Sequence, residues 1–173
     1  MRKIYTGIGS RKTPQQVLDI FKYLAFWLAS KNYILRSGAA KGADTAFETG
    51  CRQANGMKEI YLPFKGFNNS KSSFIVQKEA FKIAEKFHPF WYKLSDTSKK
   101  LHARNAHQIL GKTLNENSLF VICWTDKGLG KGGTGQALRM ADHYNIPIFD
   151  GGKYKKISIL KEELNDFLSK NML

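Results

Sequence analysis

Three short segments combine glycine with hydroxyl and cationic side chains. They are Gly7-Ile8-Gly9-Ser10-Arg11, Ser37-Gly38-Ala39-Ala40-Lys41-Gly42, and the stretch Gly130 to Gly135 with Gly132, Gly133, Thr134 and Gly135. Glycine lets a backbone approach a phosphate closely. A helix that follows points free N–H groups and the positive end of its dipole at the anion. Ser10, Ser37 and Thr134 add hydroxyl donors, and Arg11 adds a planar two-pronged contact. None of the three is a Walker A loop, and the first lacks the full GxGxxG spacing of a dinucleotide fingerprint. Glycine also serves tight turns for steric reasons alone, so the weight lies on three such turns occurring together.

Other groups could join them. Arg104, His107 and Gln108 lie three and four apart and share one face of a helix, which reads either as a ligand face or as a solvated one. Asp44 follows the second turn. It reads equally as a first-turn acid complementing a helix dipole and as a partner for a ribose hydroxyl. His88, Phe90, Trp91 and Tyr92 form an aromatic cluster that could stack on a base or simply join two helices.

The elements that position these groups follow from periodicity. Residues 3–7 form a short strand pattern. Thr13-Pro14 then predicts a capped helix over about 14–30, with Val17, Phe21, Leu24 and Leu28 at helical spacing. A strand at 33–35, a helix at 43–54 and a strand at 59–62 follow. The polar stretch 65–73 is a loop or flap, and 74–87 reads as a helix broken by His88-Pro89. A helix over 95–114 leads to Ser118-Leu-Phe-Val-Ile-Cys-Trp124, apolar almost throughout as a strand covered on both faces should be. Residues 125–134 are a loop, 136–144 a helix, 146–149 a strand and 157–168 a terminal helix. Strands alternating with helices call for an α/β fold: a three-layer Rossmann-like parallel sheet with helices on both faces, one domain over residues 1–173. In such sheets ligands bind beyond the carboxyl ends of the strands, where the strand order switches direction. All three glycine turns leave strands at that edge.

Composition narrows the classes. Apolar residues make up 42% of the chain, enough to fill a core, so wholesale disorder is excluded. No apolar run approaches the ~18 residues of a membrane span, and Met1 to Tyr5 enters a strand at once without a signal-peptide pattern. A cytoplasmic protein without membrane partners is expected. Cys51 and Cys123 belong to no CxxC motif, so two reduced packing cysteines are expected and no metal site. Twenty-eight Lys and Arg against fourteen Asp and Glu give a formal charge of +14, which favours anionic partners or merely reflects scattered surface lysines.

In order, Gly9-Ser10-Arg11, Ser37-Gly38-Ala39-Ala40-Lys41-Gly42-Ala43-Asp44, Ala103-Arg104-Asn105 and Gly132-Gly133-Thr134-Gly135 resemble the SLOG superfamily of Rossmann-like proteins, most closely its DprA and lonely guy groups. The resemblance spans about residues 4–150. It implies a nucleotide-type ligand over the glycine turns, with Arg104 and Asn105 facing it from a helix, the 132–135 loop holding phosphate, and a homodimer as the common state. The lonely guy enzymes place a catalytic glutamate soon after that loop. Here the chain continues Gln136-Ala137-Leu138-Arg139-Met140, and glutamine does no general acid–base work. The expectation is therefore a binding protein without a catalytic residue or cofactor, holding a nucleotide-derived signal such as a cyclic or ADP-ribose-type molecule. A DprA-like binder of single-stranded DNA is the alternative, and a lonely-guy-type nucleoside monophosphate phosphoribohydrolase the second.

Overall fold

A computed structural model describes residues 2–173. Six strands form one parallel sheet in the order β4-β3-β2-β1-β5-β6. They are β1 (Ile4–Gly7), β2 (Ile34–Ser37), β3 (Lys58–Leu62), β4 (Phe74–Ile75), β5 (Phe120–Cys123) and β6 (Ile148–Asp150). The helices are α1 (Gln15–Ser30), α2 (Ala43–Gln53), α3 (Lys78–Lys86), α4 (Asp96–Leu110), α5 (Gly132–His143) and α6 (Ile157–Asn171). The expected three-layer α/β architecture is observed. The strand order reverses direction between β1 and β5, so their carboxyl ends form the switch point.

Alternation along the strands sorts side chains into two cores. Phe120 and Ile122 of β5 join Phe21, Leu28, Phe47, Leu160 and Leu164, so α1, α2 and α6 cover one face. Val121 and Cys123 join Ala84, Ala103, Ala106, Ile109 and Met140, so α3, α4 and α5 cover the other. Small alanines on α3 and α4 let those helices sit close to the sheet. Both cysteines are buried and unpaired. No helix among the described residues is long and apolar enough to cross a membrane.

Three local expectations are corrected. Phe74 and Ile75 do not begin a helix. They pair with Tyr61 and Leu62 as a short edge strand, and helix α3 starts only at Lys78. Ser72 prepares that strand by donating to the Ile60 carbonyl, and the branched side chains of Ile75 and Val76 suit the extended backbone. Thr13 does not cap α1. Its hydroxyl donates to the Ser10 carbonyl, and Pro14 is the residue preceding the first helical turn. Gly132, Gly133 and Thr134 are not loop residues but the opening turn of α5.

One buried charge is fully neutralised within the fold. Arg36 of β2 is inaccessible to solvent. Its Nε donates to Glu59 at 2.7 Å and its Nη2 to Glu116 at 2.5 Å. The paired guanidinium beside Glu59 holds that carboxyl below its ordinary range despite burial. Removing Glu59 leaves Arg36 with Glu116 as its remaining carboxylate but deprives the Arg36 Nε and the Tyr61 hydroxyl of their acceptor. Glu59→Ala should therefore destabilise the protein by about 1–3 kcal/mol in equilibrium urea unfolding.

Candidate functional site

The second buried arginine is not neutralised in the same way. Arg104 lies in the middle of α4, is 6% exposed, and forms no ion pair among the described residues. Its Nη1 donates to the Gly38 carbonyl, its ring-side face lies 5.9 Å from the Phe67 ring centre, and its Nε is buried without a hydrogen-bond partner. Burial pulls its pKa down, and the nearby Asp44 charge only partly restores it. Of the two readings left open for the Arg104 face, the solvated one does not hold, because Arg104, His107 and Gln108 are all buried. Arg104 and Gln108 point inward, and Gln108 Nε2 is likewise buried without a partner. His107 turns away. Its Nε2 accepts from the Gln77 N–H at 3.1 Å, its Nδ1 lies 3.0 Å from the Gly111 carbonyl, and its ring stacks on Tyr61.

Asp44 also has a defined task. The side chain is buried in the first turn of α2. Oδ1 accepts from the Gly9 N–H at 3.2 Å and Oδ2 from the Gly38 N–H at 3.1 Å, so one carboxylate ties the β1–α1 turn to the β2–α2 turn. Burial pushes its pKa up to about 6, against the opposing pull of Arg104 and the backbone N–H groups.

The glycines fall into two kinds. A side chain at Gly38 would collide with Arg104 and Gln108. A Cβ at Gly42, whose φ is +88°, would meet the Ser10 carbonyl at 2.6 Å and Arg11 Cα at 2.8 Å. A Cβ at Gly9 would press on Ala43 at 2.8 Å, and one at Gly135 would strike the Gly130 carbonyl. These positions need glycine because protein packs against them. Gly132 and Gly133 are different. A Cβ there would meet nothing within 4 Å. Gly132 has φ +73°, which explains its glycine, whereas no steric or backbone constraint explains Gly133.

Between β1 and β5 these parts enclose a cleft of about 430 Å³. Gly9, Ser10, Arg11, Asp44, Arg104, Asn105, Gly132, Gly133 and Thr134 all line it. The structure does not bring Ser37, Gly38, Lys41, Gly42 or Gly135 to its wall. Ser37 instead donates to the Gly7 carbonyl at 2.6 Å, and Lys41 faces solvent. The second turn is thus a support for the first turn and for Arg104. The cleft adds Lys12, Ser98, Leu101, His102, Gln108 and Lys131. Ser98, Leu101, His102, Asn105 and Gln108 sit three and four apart on α4, a helical stripe the sequence carries openly but that blends into the polar surface pattern.

Electrostatically the cleft is cationic. Arg11, Lys12, Arg104 and Lys131 face one carboxylate, Asp44. His102 stays neutral near pH 7, because burial with His88 and the nearby arginines pulls its pKa down to about 4. The α5 N-terminus opens into this space with no side-chain cap and no acid in its first turn. Its first N–H groups therefore lack both an intrahelical partner and a neutralising charge. Asn105 anchors that turn by donating to the Gly133 carbonyl and to Gln136 Oε1, both at 3.0 Å. Gln136 is fully buried and donates onward to the Ala84 carbonyl at 3.0 Å. The residue after the glycine segment is therefore a bridge among α3, α4 and α5 and does not face the cleft. No cluster of three metal-ligating side chains occurs among the described residues.

No protein-family model and no curated protein matches the chain. Among solved structures it is similar to DNA processing protein A from Helicobacter pylori, at 18% identity and a TM-score of 0.59, over 98% of this chain and 82% of that one. That structure was described for its mode of binding single-stranded DNA. At such identity the likeness establishes a shared DprA-like, Rossmann-like fold.

Two outcomes test the internal logic of the site. Asp44 has a raised folded pKa, so its contribution to stability is present below about pH 4 and is lost as pH rises through about 6. Relative to Asp44→Asn, the wild-type protein should lose about 3 kcal/mol over that window, measured by urea unfolding at several pH values. Gly133→Ala should leave stability unchanged or raise it by up to about 1 kcal/mol, whereas Gly38→Ala should lower the melting temperature by pushing Arg104 and Gln108 aside.

Proposed function

We propose that the cleft binds the phosphate backbone of single-stranded nucleic acid. The observation that carries this is Arg104, a buried guanidinium without an ion pair beside an uncapped helix N-terminus. A buried charge that is only partly compensated carries a free-energy cost; Asp44 offsets part of it, and an anion entering the cleft offsets more. The α5 N–H groups meet the same anion from the opposite wall. Arg11, Lys12 and Lys131 extend positive charge from the buried guanidinium towards the surface, as expected for a ligand that enters the cleft and continues beyond it. The net charge of +14 favours a polyanion over a small anion, and the structurally similar Helicobacter protein is described as binding single-stranded DNA.

A second reading has its own support. The volume of about 430 Å³ lies within the range of small-ligand pockets, so a free nucleotide-type signal fits the same chemistry. Salt separates the two. A strand neutralised by several cations is bound with an affinity that falls steeply as salt rises, whereas a single phosphate shows a shallow dependence.

Oligothymidylate binding measured by fluorescence anisotropy should be tight at ~50 mM salt and should weaken steeply by ~200 mM. Arg11→Ala and Lys131→Ala should each reduce the log–log salt slope by about 1. Arg104→Gln should abolish binding. Absence of binding at low salt, or tight salt-insensitive binding of a mononucleotide, would remove the strand-binding proposal. Binding should also tighten as pH falls from 7.5 to 5.5, because protonated Asp44 no longer offsets Arg104. The gain should reach up to about tenfold, the equivalent of one pKa unit, and Asp44→Asn should flatten it.

A further inference from the structure

A turn of exposed aromatic residues adjoins the cleft, and neither the fold nor the cleft accounts for it. Trp91–Lys93 forms a 3-10 turn between α3 and α4. Trp91 is half-buried and anchors it, edge-on to Phe81 at 6.5 Å and to His88 at 6.4 Å. Its neighbours are not needed for that anchorage. Phe90 is 55% exposed and Tyr92 is 73% exposed. The Lys93 ammonium stands 5.3 Å from the centre of the Phe90 ring and 5.7 Å from that of Tyr92. Lys99, in the second turn of α4, lies 6.0 Å from the Trp91 ring centre. No acidic residue occurs between Glu85 and Asp96.

The turn is continuous with the cleft. His88 contacts His102 edge-on with ring centres 4.5 Å apart, and His102 lines the cleft together with Ser98 and Leu101. The first two turns of α4 therefore carry Lys99 beside the aromatic turn and Ser98 on the cleft wall. Aromatic faces with interleaved ammonium groups suit a chain that alternates flat bases with phosphates.

We propose that Phe90, Trp91 and Tyr92 form a base-stacking platform for the strand whose backbone lies in the cleft, an extension that rests on the strand-binding proposal above. A base displaces Lys93 from one ring face, and the displaced ammonium meets the adjoining phosphate. The platform reads no base edge, so its contribution depends on strand length and not on sequence. The charge around the rings selects nucleic acid as the occupant, since a protein surface of neutral or basic character gains nothing from Lys93 and Lys99.

The test uses the full chain and labelled oligothymidylates of about 4 and about 12 nucleotides, sizes that bracket a short groove and a groove plus platform. Wild type should bind the longer strand at least about tenfold more tightly. Phe90→Ala/Tyr92→Ala, two exposed positions whose loss leaves the core intact, should bind the short strand as wild type does and lose that advantage. Phe90→Ala/Tyr92→Trp should restore most of it. If the double variant keeps the full advantage, the platform is refuted while the cleft proposal stands. If wild type binds neither length, both fall. If the double variant changes only the oligomeric state in sedimentation, the turn is a contact between copies of this chain and the platform is refuted.

Discussion

A guanidinium taken out of water costs several kcal/mol unless oppositely charged or strongly accepting groups replace its hydration, and this fold buries two of them. Arg36 meets that demand inside the protein, with Glu59 and Glu116 on two of its nitrogens. Arg104 meets it only in part, through the Gly38 carbonyl and the field of the nearby Asp44. Much of the surrounding sequence follows from keeping Arg104 in that position. Gly38 has no side chain because Arg104 and Gln108 occupy the space, and Asp44 fixes the Gly38 backbone through its N–H. Gly42 in turn lets the supported loop press against Ser10 and Arg11. The two glycine turns are thus one structure, held at its centre by a carboxylate.

Helix α4 carries this arrangement, and its position is fixed along its length. Ser95 caps its start by accepting from the Ser98 N–H. Near its end, Thr6 of β1 donates to the Gln108 carbonyl, and Gly111 closes against the Arg36 guanidinium. His107 ties it to the chain entering α3 through the Gln77 N–H. A helix held at its cap and through its last turn is not free to slide to relieve Arg104. Rigid placement of this kind is what a binding site needs to avoid spending affinity on reorganisation. The neutralised Arg36 packs against Gly111, at the end of the helix from which Arg104 projects.

Much of this was legible in the sequence. Alternating strands and helices and the apolar 118–124 segment carried the architecture, and the glycine turns pointed to the sheet edge at which the β1–β5 cleft lies. Phe74-Ile75 was not legible, because two residues carry too little period to distinguish a strand from the first turn of a helix, and the pairing with Tyr61 is a tertiary contact. The division of labour among the glycines was hidden for a related reason. A missing side chain makes room either for a ligand or for another part of the protein, and the sequence is the same in both cases. Only the packing of Arg104 against Gly38 and the empty space at Gly133 separate them. Arg104 was singled out by its neighbours in the motif, but its burial was not legible, since a helix rich in Arg, His and Gln has the pattern of a solvated face.

Two features of the molecule run against its own stability, and they meet at one place. The α5 helix opens with Gly-Gly-Thr-Gly, lacks a capping side chain and has no acid in its first turn. Of these glycines, Gly133 is held by no packing or backbone constraint and costs up to about 1 kcal/mol relative to alanine. Arg104 adds a buried charge, only partly offset by Asp44, on a different element. Sequence and structure normally agree at every level, and departures concentrate where function demands them. Either departure alone has a local explanation. A poor helix start relieves no strain at Arg104, however, and a buried arginine does nothing for the α5 cap, so neither explains the other. What they share is the space between them, and the anion proposed for that space would remedy both at once: it would complete the counter-charge that Asp44 supplies only in part and give the α5 N–H groups an acceptor.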